Sequence, residues 1–405
     1  MRCKPGRDPG RGIVVLAAAG MLSVAYGLGM QPQSLWYALL GAEFPWNRAT
    51  LALGSTIFQL VAAVSGVCLG RLIDRHGLPL LLVLGTIALA TGTAWLAVAP
   101  SLWIVYGAFA WLGLGFTALG ALTVGKLLAP WFQGIARTRA VTLVLLGSQV
   151  PYVLMPLTTH LALRGGRLLL GGGLALLGVG VMTFLFPTLR TRPPVPVEEM
   201  ADATQPCTLA EALRQGAYWR WLMTLCLVVL GQTGYVAHGL LIYAETTTLM
   251  RGAWLWTFSV LCGVATRLLF CVWPPAGSPV SLAARVYGVQ ALGFGALALA
   301  PASPLLVWLG ALGVGMTANL TLSVEILLAQ YVCGTKTFGT LYGPVYASTR
   351  LMAALGVLLY GVVYSHTGSY APMLWGVAGS LVVASLLVRT VSPLHSKERI
   401  PWKSA

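Results

Sequence analysis

Apolar stretches of about twenty residues, the length that crosses a bilayer as a helix, recur along this chain and are separated by short polar interruptions. They fall near residues 13–38, 51–69, 78–98, 102–128, 140–163 and 168–186, then near 221–243, 252–272, 280–299, 305–328, 341–364 and 373–388. The interruptions carry turn chemistry and charge: Ala99-Pro100-Ser101, Arg164-Gly165-Gly166-Arg167, and a basic loop from Pro130 to Arg139. One polar stretch is longer. Residues 187–217 hold Pro193, Pro194 and Pro196 with Glu198, Glu199 and Asp202. It closes on Thr208-Leu209-Ala210-Glu211, where a Ser or Thr followed three residues later by Glu forms a capping box that starts a helix. The pattern predicts an all-α polytopic membrane protein with twelve transmembrane helices in two six-helix halves. Residues 1–187 form the first half and 188–217 a cytoplasmic linker with a short amphipathic helix on the membrane face. Residues 218–390 form the second half and 391–405 a cytoplasmic tail.

Composition agrees with that pattern. The chain of 405 residues is 57% hydrophobic and only 9% charged, where soluble domains carry about 25% charged residues. Its 48 glycines suit closely packed membrane helices, because small residues let backbones approach. The net charge of +15 changes the picture in one way: the basic residues scatter over short loops, so no nucleic-acid surface is expected. Most of them fall on the side shared by both termini, while Arg48, Arg164, Arg167 and Arg251 fall on the other. The positive-inside rule then puts both termini in the cytoplasm and the chain in the cell (inner) membrane. The basic start followed by an apolar run has the look of a signal peptide, but the run is too long and lacks a small-residue cleavage site, so it counts as the first span. Seven cysteines show no Cys-x-x-Cys spacing and no nearby His at ligand distance, so disulfides, metals and cofactors are not expected.

Charge inside the spans carries the functional signal. Arg267 lies within 252–272 and Arg350 within 341–364, and a cation at membrane depth costs about 2.5–3.5 kcal/mol on insertion scales. Neither has an obvious intramembrane carboxylate beside it in sequence, which suggests that an anionic cargo supplies the partner. Guanidinium offers a planar donor fork that grips a carboxylate by two hydrogen bonds. Two forks on one cavity suit a dicarboxylate, and one suits a monocarboxylate. Each arginine can instead brace backbone carbonyls or snorkel. His238, with Tyr235 and Tyr243 near it, can bind substrate, carry a proton or pack as a satisfied core residue. Tyr26, Gln33 and Tyr152 are further candidates for a cavity lining. Glu325 can relay a proton or pair with Lys336 or an arginine. No phosphate-binding Gly-x-x-x-x-Gly-Lys-[Ser/Thr] motif occurs, Leu127 standing where the hydroxyl residue would follow Gly120–Lys126, so energy must come from a gradient or from exchange, and no enzyme signature is present.

From Gly70 to Gly77 the chain resembles the Major Facilitator Superfamily, whose signature between helices 2 and 3 is Gly-x-x-x-Asp-Arg-x-Gly. Gly70, Asp74, Arg75 and Gly77 match it, while Leu78-Pro79 stand where basic residues follow in the family. Phe44-Pro45-Trp46-Asn47-Arg48-Ala49, Trp131-Phe132 with Arg137-Thr138-Arg139, Phe338-Gly339-Thr340-Leu341-Tyr342-Gly343 and His366-Thr367-Gly368-Ser369-Tyr370 are similar to stretches of its monocarboxylate-transporter and oxalate/formate-antiporter branch. That resemblance implies a secondary transporter for small organic anions working by alternating access, as symport or exchange, with protons as a possible coupling ion. It implies that Arg267 contacts the substrate carboxylate, that Arg350 lies near a second cationic position, and that Gly70, Asp74, Arg75 and Gly77 latch one state. The branch's helix-1 lysine is replaced by Gln33, and its aspartate one turn before the helix-8 arginine by Gly263. An efflux carrier for hydrophobic compounds, or a receptor that kept the fold and lost flux, are the competing readings. The bilayer is the expected surrounding, and a monomer the expected state.

Overall fold

The computed structural model describes residues 9–128, 131–132, 134–190, 208–272, 278–333 and 338–394. Among them every regular element is helical, as apolar backbone in a bilayer requires: a helix satisfies all its own hydrogen bonds where no water is present to do so. The first half comprises α1 (Pro9–Gly29), α2 (Gln33–Glu43), α3 (Arg48–His76), α4 (Leu78–Val98), α5 (Leu102–Leu119), α6 (Ala121–Leu128), α7 (Gly134–Gly147), α8 (Val150–Val153) and α9 (Met155–Leu189). After the linker come α10 (Leu209–Leu213), α11 (Gly216–Ala244), α12 (Leu249–Val272), α13 (Pro279–Ala298), α14 (Pro304–Cys333), α15 (Phe338–Thr367) and α16 (Ala371–Val388).

Eleven helical segments are long and apolar enough to cross a membrane. One of them, Arg139–Leu189, has 51 residues and would extend about 77 Å as one straight helix, far more than a bilayer needs. Gly166 breaks it, with φ 59° and ψ −154°, a left-handed backbone that glycine adopts without a Cβ clash. The two arms on either side make the fifth and sixth spans, so the predicted twelve stand. Three sequence-based boundaries move. The first span is not a single helix but α1 and α2, separated at 30–32 around Pro32, and it reaches Glu43. The interruption between the predicted second and third spans, residues 70–77, shrinks to Gly77 alone, because α3 stays helical through His76, its last turn carrying Arg75, a cation that suits the negative end of a helix dipole. The capping box forms as expected: Thr208 Oγ1 accepts from the Glu211 N–H and Glu211 Oε2 accepts from the Thr208 N–H.

Two compact units emerge. One holds residues 1–32, 64–154 and 161–200; the other holds 33–63, 155–160 and 201–405. In the first, α1 lies against α7, where Ser23 Oγ donates to the Gly147 carbonyl at 2.6 Å, and α4 packs on α5. Arg167, in the turn after Gly166, donates to the Ala99 carbonyl at 2.9 Å and so ties the sixth span's start to the α4–α5 corner. In the second unit α11 packs on α15, α12 and α13 pack on α14, and α16 packs on α13. Ala52 of α3 joins Ala237 and Val357 in one buried cluster there.

Candidate functional site

On α12 the residues Ser259, Gly263 and Arg267 follow at intervals of four and therefore share a face. That face meets Gly315 and Asn319 of α14, also four apart. The contact is close: a Cβ on Gly263 would lie 2.0 Å from Asn319 Nδ2 and 2.6 Å from the Gly315 carbonyl oxygen. Arg267 is 3% exposed, and its Nη2 donates to the Asn319 backbone carbonyl. Gly263 thus explains its own departure from the branch pattern, since an aspartate has no room there while α12 and α14 lie this near. Arg267 sits about 10 Å along the axis from the middle of α12 at 1.5 Å per residue, off-centre by nearly two turns.

Arg350 sits closer to the centre of its helix, about 4 Å from the middle of α15 by the same rise. It is half-buried, with its guanidinium 4.8 Å from the Tyr346 ring centroid, a cation–π contact. The missing carboxylate is found here. Glu325 of α14, 6% exposed, accepts a 2.6 Å hydrogen bond from the Tyr342 hydroxyl, and Arg350 lies within electrostatic range of it. Of the partners expected for Glu325, an arginine is the one in range: α14 and α15 bring Glu325, Tyr342 and Arg350 together across separations invisible in the sequence. Lys336, the other partner considered for Glu325, lies outside the described residues.

A second polar group forms where α2 and α3 lie in the same unit as α11. Gln33, 1% exposed, shares a face of α2 with Trp36 and Tyr37. A Cβ on Gly41 would lie 3.5 Å from Leu51 and Tyr37 lies beside Ser55. Trp36 Nε1 and both polar atoms of Gln59 are buried with no hydrogen-bond partner among the described residues. Such groups cost about 1–3 kcal/mol each unless water or a solute meets them.

His238 is fully buried. Its Nε2 lies 3.2 Å from the Val357 carbonyl and its Nδ1 3.1 Å from the Tyr370 hydroxyl. A carbonyl can only accept, so Nε2 carries the proton and Nδ1 accepts from Tyr370. The rings of Tyr37 and Tyr360 cover the imidazole, with centroids at 4.9 and 5.7 Å. Around it Ser34 Oγ donates to the Ala237 carbonyl at 2.6 Å, and Arg48 lies 5.7 Å from the Tyr364 ring. With both ring nitrogens engaged, His238 braces α11 against α15 and the residue-370 turn.

Tyr26 and Tyr152 belong to the other unit. Tyr26 packs edge-on against Phe116 and Tyr152, with centroids at 5.0 and 6.4 Å. Of the six candidate substrate contacts, the structure therefore groups Tyr26 with Tyr152, Gln33 with His238, and leaves Arg267 and Arg350 on separate helices of the second unit. For the proposed latch, Gly70 is helical and Arg75 exposed, Gly77 has φ 81°, and the side chain of Asp74 lies outside the described residues. Sequence reading passed over Ser55 and Gln59; the available signal was the four-residue spacing of these polar residues on the otherwise apolar second span.

The sequence model of the Major Facilitator Superfamily matches residues 15–391. The chain belongs to this superfamily. No curated protein matches. Among solved structures, the chain is similar to a bacterial homolog of the human lysosomal transporter Spinster in its inward-facing, occupied conformation, at 15% identity and a TM-score of 0.62. The same protein's inward-facing, unoccupied conformation gives 14% identity and a TM-score of 0.65, and in both cases 95% of each chain is covered. At this identity the likeness speaks to the fold, which is that of a superfamily transporter with its helices in the bilayer. By its family the chain is a membrane transporter.

Proposed function

We propose that the protein is a secondary carrier of small organic anions, mono- or dicarboxylates, with Arg350 as the primary carboxylate contact and Glu325 as the group that takes up and releases a coupled proton. The observation that carries this reading is Arg350 itself: a half-exposed cation near the middle of a span, resting on a tyrosine ring, within electrostatic range of a buried carboxylate hydrogen-bonded to Tyr342. A carboxylate arriving at Arg350 competes with Glu325 for the same positive charge, and protonation of Glu325 releases the guanidinium to the cargo. Arg267 supports the site from α12. Its bond to the Asn319 carbonyl ties α12 to α14 beside it. Gln33 supplies neutral hydrogen bonds, and His238 holds the surrounding helices in register. The segment Gly70, Asp74, Arg75 and Gly77 is the conformational latch, and both termini are cytoplasmic.

The test is uptake of labelled short mono- and dicarboxylates into proteoliposomes, with and without an inward proton gradient. Wild type accumulates at least one class, and Arg350→Gln abolishes accumulation. Uptake by Arg350→Gln at the wild-type rate overturns the assignment. The reading as an efflux carrier for hydrophobic compounds draws on the Tyr26–Phe116–Tyr152 aromatic group; it is favoured if a lipophilic dye moves and no carboxylate does.

A further inference from the structure

A groove of about 540 Å³ opens where α13 begins and α16 ends, lined by Ser278, Val280, Ser281, Ala284, Arg285 and Arg389. Ser385 Oγ donates to the Ala284 carbonyl at 2.8 Å. This bond pins the two helices together one turn before Arg389 and one residue before Arg285, so the two guanidiniums flank the same opening. Both arginines are exposed, and the six lining residues include no carboxylate.

Depth identifies the ligand. Arg389 follows the last residue of one apolar span and Arg285 lies six residues inside another, Pro279–Ala298, about 9 Å along its helix. Its side chain turns back toward the helix start, as helical side chains do: Arg285 Nε donates to the Ser281 carbonyl at 3.3 Å. The charge therefore returns to the level of Ser278 and Ser281, the boundary between hydrocarbon and headgroups. Two cations sharing one groove repel each other, and an anion seated between them removes that cost. The Ser281 N–H is already taken by Ser278 Oγ, so attraction rests on the two forks, with the positive end of α13 adding to it. A phosphate with three free oxygens or a phosphodiester fits such paired forks. At this depth, beside apolar Val280 and Ala284, the source is a lipid.

We propose that the groove binds the phosphate of an anionic phospholipid through Arg285 and Arg389, a site separate from the transport site and independent of the cargo assigned above. The test uses the full-length protein in nanodiscs of phosphatidylcholine with increasing phosphatidylglycerol, read by retained lipid in native mass spectrometry and by thermal stability. Wild type retains phosphatidylglycerol and melts higher in its presence. At about 1 kcal/mol per basic residue near a headgroup, each of Arg285→Gln and Arg389→Gln weakens retention about fivefold, and the double variant about thirtyfold. Inorganic phosphate at millimolar concentration in phosphatidylcholine discs gives no comparable shift. Undiminished retention in the double variant overturns the proposal, as does an equal shift from inorganic phosphate, which assigns the groove to a free anion. If the double Gln variant does not fold, Arg285→Lys with Arg389→Lys keeps the charge and removes the forks; retention must then fall and become more sensitive to salt, and unchanged retention counts against the site.

Discussion

Replacing Gly263 by alanine puts a Cβ into the closest part of the α12–α14 interface. The added carbon would meet Asn319 Nδ2 at 2.0 Å and the Gly315 carbonyl oxygen at 2.6 Å, where ordinary contact begins at 3.4 Å. The Asn319 amide is a side chain and can turn away. The Gly315 carbonyl is backbone and can retreat only if the helices part. One turn along, a Cβ on Gly315 would itself lie 2.1 Å from the Ser259 carbonyl, so the interface has no slack in that direction. Overpacking of this kind costs about 1–3 kcal/mol. The separation also draws the Asn319 carbonyl from Arg267, at the level where uncompensated charge is costly. Thermal denaturation in detergent, followed by tryptophan fluorescence at one scan rate, should show Gly263→Ala melting below wild type. Gly379→Ala is the control. It is also helical but has nothing within 4 Å of an added Cβ, and removing a helical glycine there should stabilise by about 0.5–1 kcal/mol. If Gly263→Ala melts at or above wild type while Gly379→Ala behaves as expected, the close approach of α12 and α14 and the bracing of Arg267 are both wrong.

Gln59→Leu removes two buried polar atoms that have no partner among the described residues, so the folded protein should be as stable as wild type or about 1–3 kcal/mol more stable; in the uptake assay it should raise the KM for a hydroxy acid more than for its deoxy analogue. Equal changes for both would remove this face from the binding site. Tyr342→Phe and Glu325→Gln should each lower the melting temperature, the charged hydrogen bond being worth about 1.5–3 kcal/mol, and the double variant should lose less than the two losses added; strict additivity would mean the 2.6 Å contact does not form. Gly166→Ala forces a side chain into a left-handed conformation at the turn between the fifth and sixth spans and should cost about 1 kcal/mol or more, visible as faster hydrogen exchange near Arg167 and Ala99.

The spans were legible because a bilayer leaves so few solutions: twenty apolar residues, a break with Gly or Pro, and basic residues to one side. Local chemistry was legible as well, including the Thr208–Glu211 box and the turn at Gly166. The helical course of Gly70–His76 was not, since polar side chains near a span's end look the same whether the backbone has stopped or carried on into water. Tertiary pairing was the larger gap. Nothing in the spacing of Glu325, Tyr342 and Arg350 announces that α14 and α15 bring them together, and an aromatic-flanked histidine reads alike whether it faces solvent or, like His238, spends both ring nitrogens on its neighbours. Gly263 is the instructive case. In sequence it was a lost aspartate; in the structure it is the residue that lets two helices touch.

Three arginines lie within the apolar spans of the second unit, and each meets the cost of its charge differently. Arg267 gives part of its fork to a backbone carbonyl and is sealed in at 3% exposure, a solution that works in every protonation state of its surroundings and leaves little reach for a moving ligand. Arg285 turns back along its helix to the membrane boundary, where lipid phosphate can satisfy it without the transport cycle. Arg350 alone combines a half-exposed guanidinium with a titratable carboxylate in range. That pairing can change: protonation of Glu325 removes a negative charge from within range of Arg350. A fixed carbonyl cannot make that exchange, and neither can a lipid at the boundary. If the proposed function holds, coupling belongs to α14 and α15, and Glu325→Gln should leave the carrier able to exchange anions across the membrane while abolishing accumulation driven by a proton gradient. Counterflow that stops together with gradient-driven uptake, in a variant shown to fold, would place Glu325 in the architecture of the site and not in its coupling.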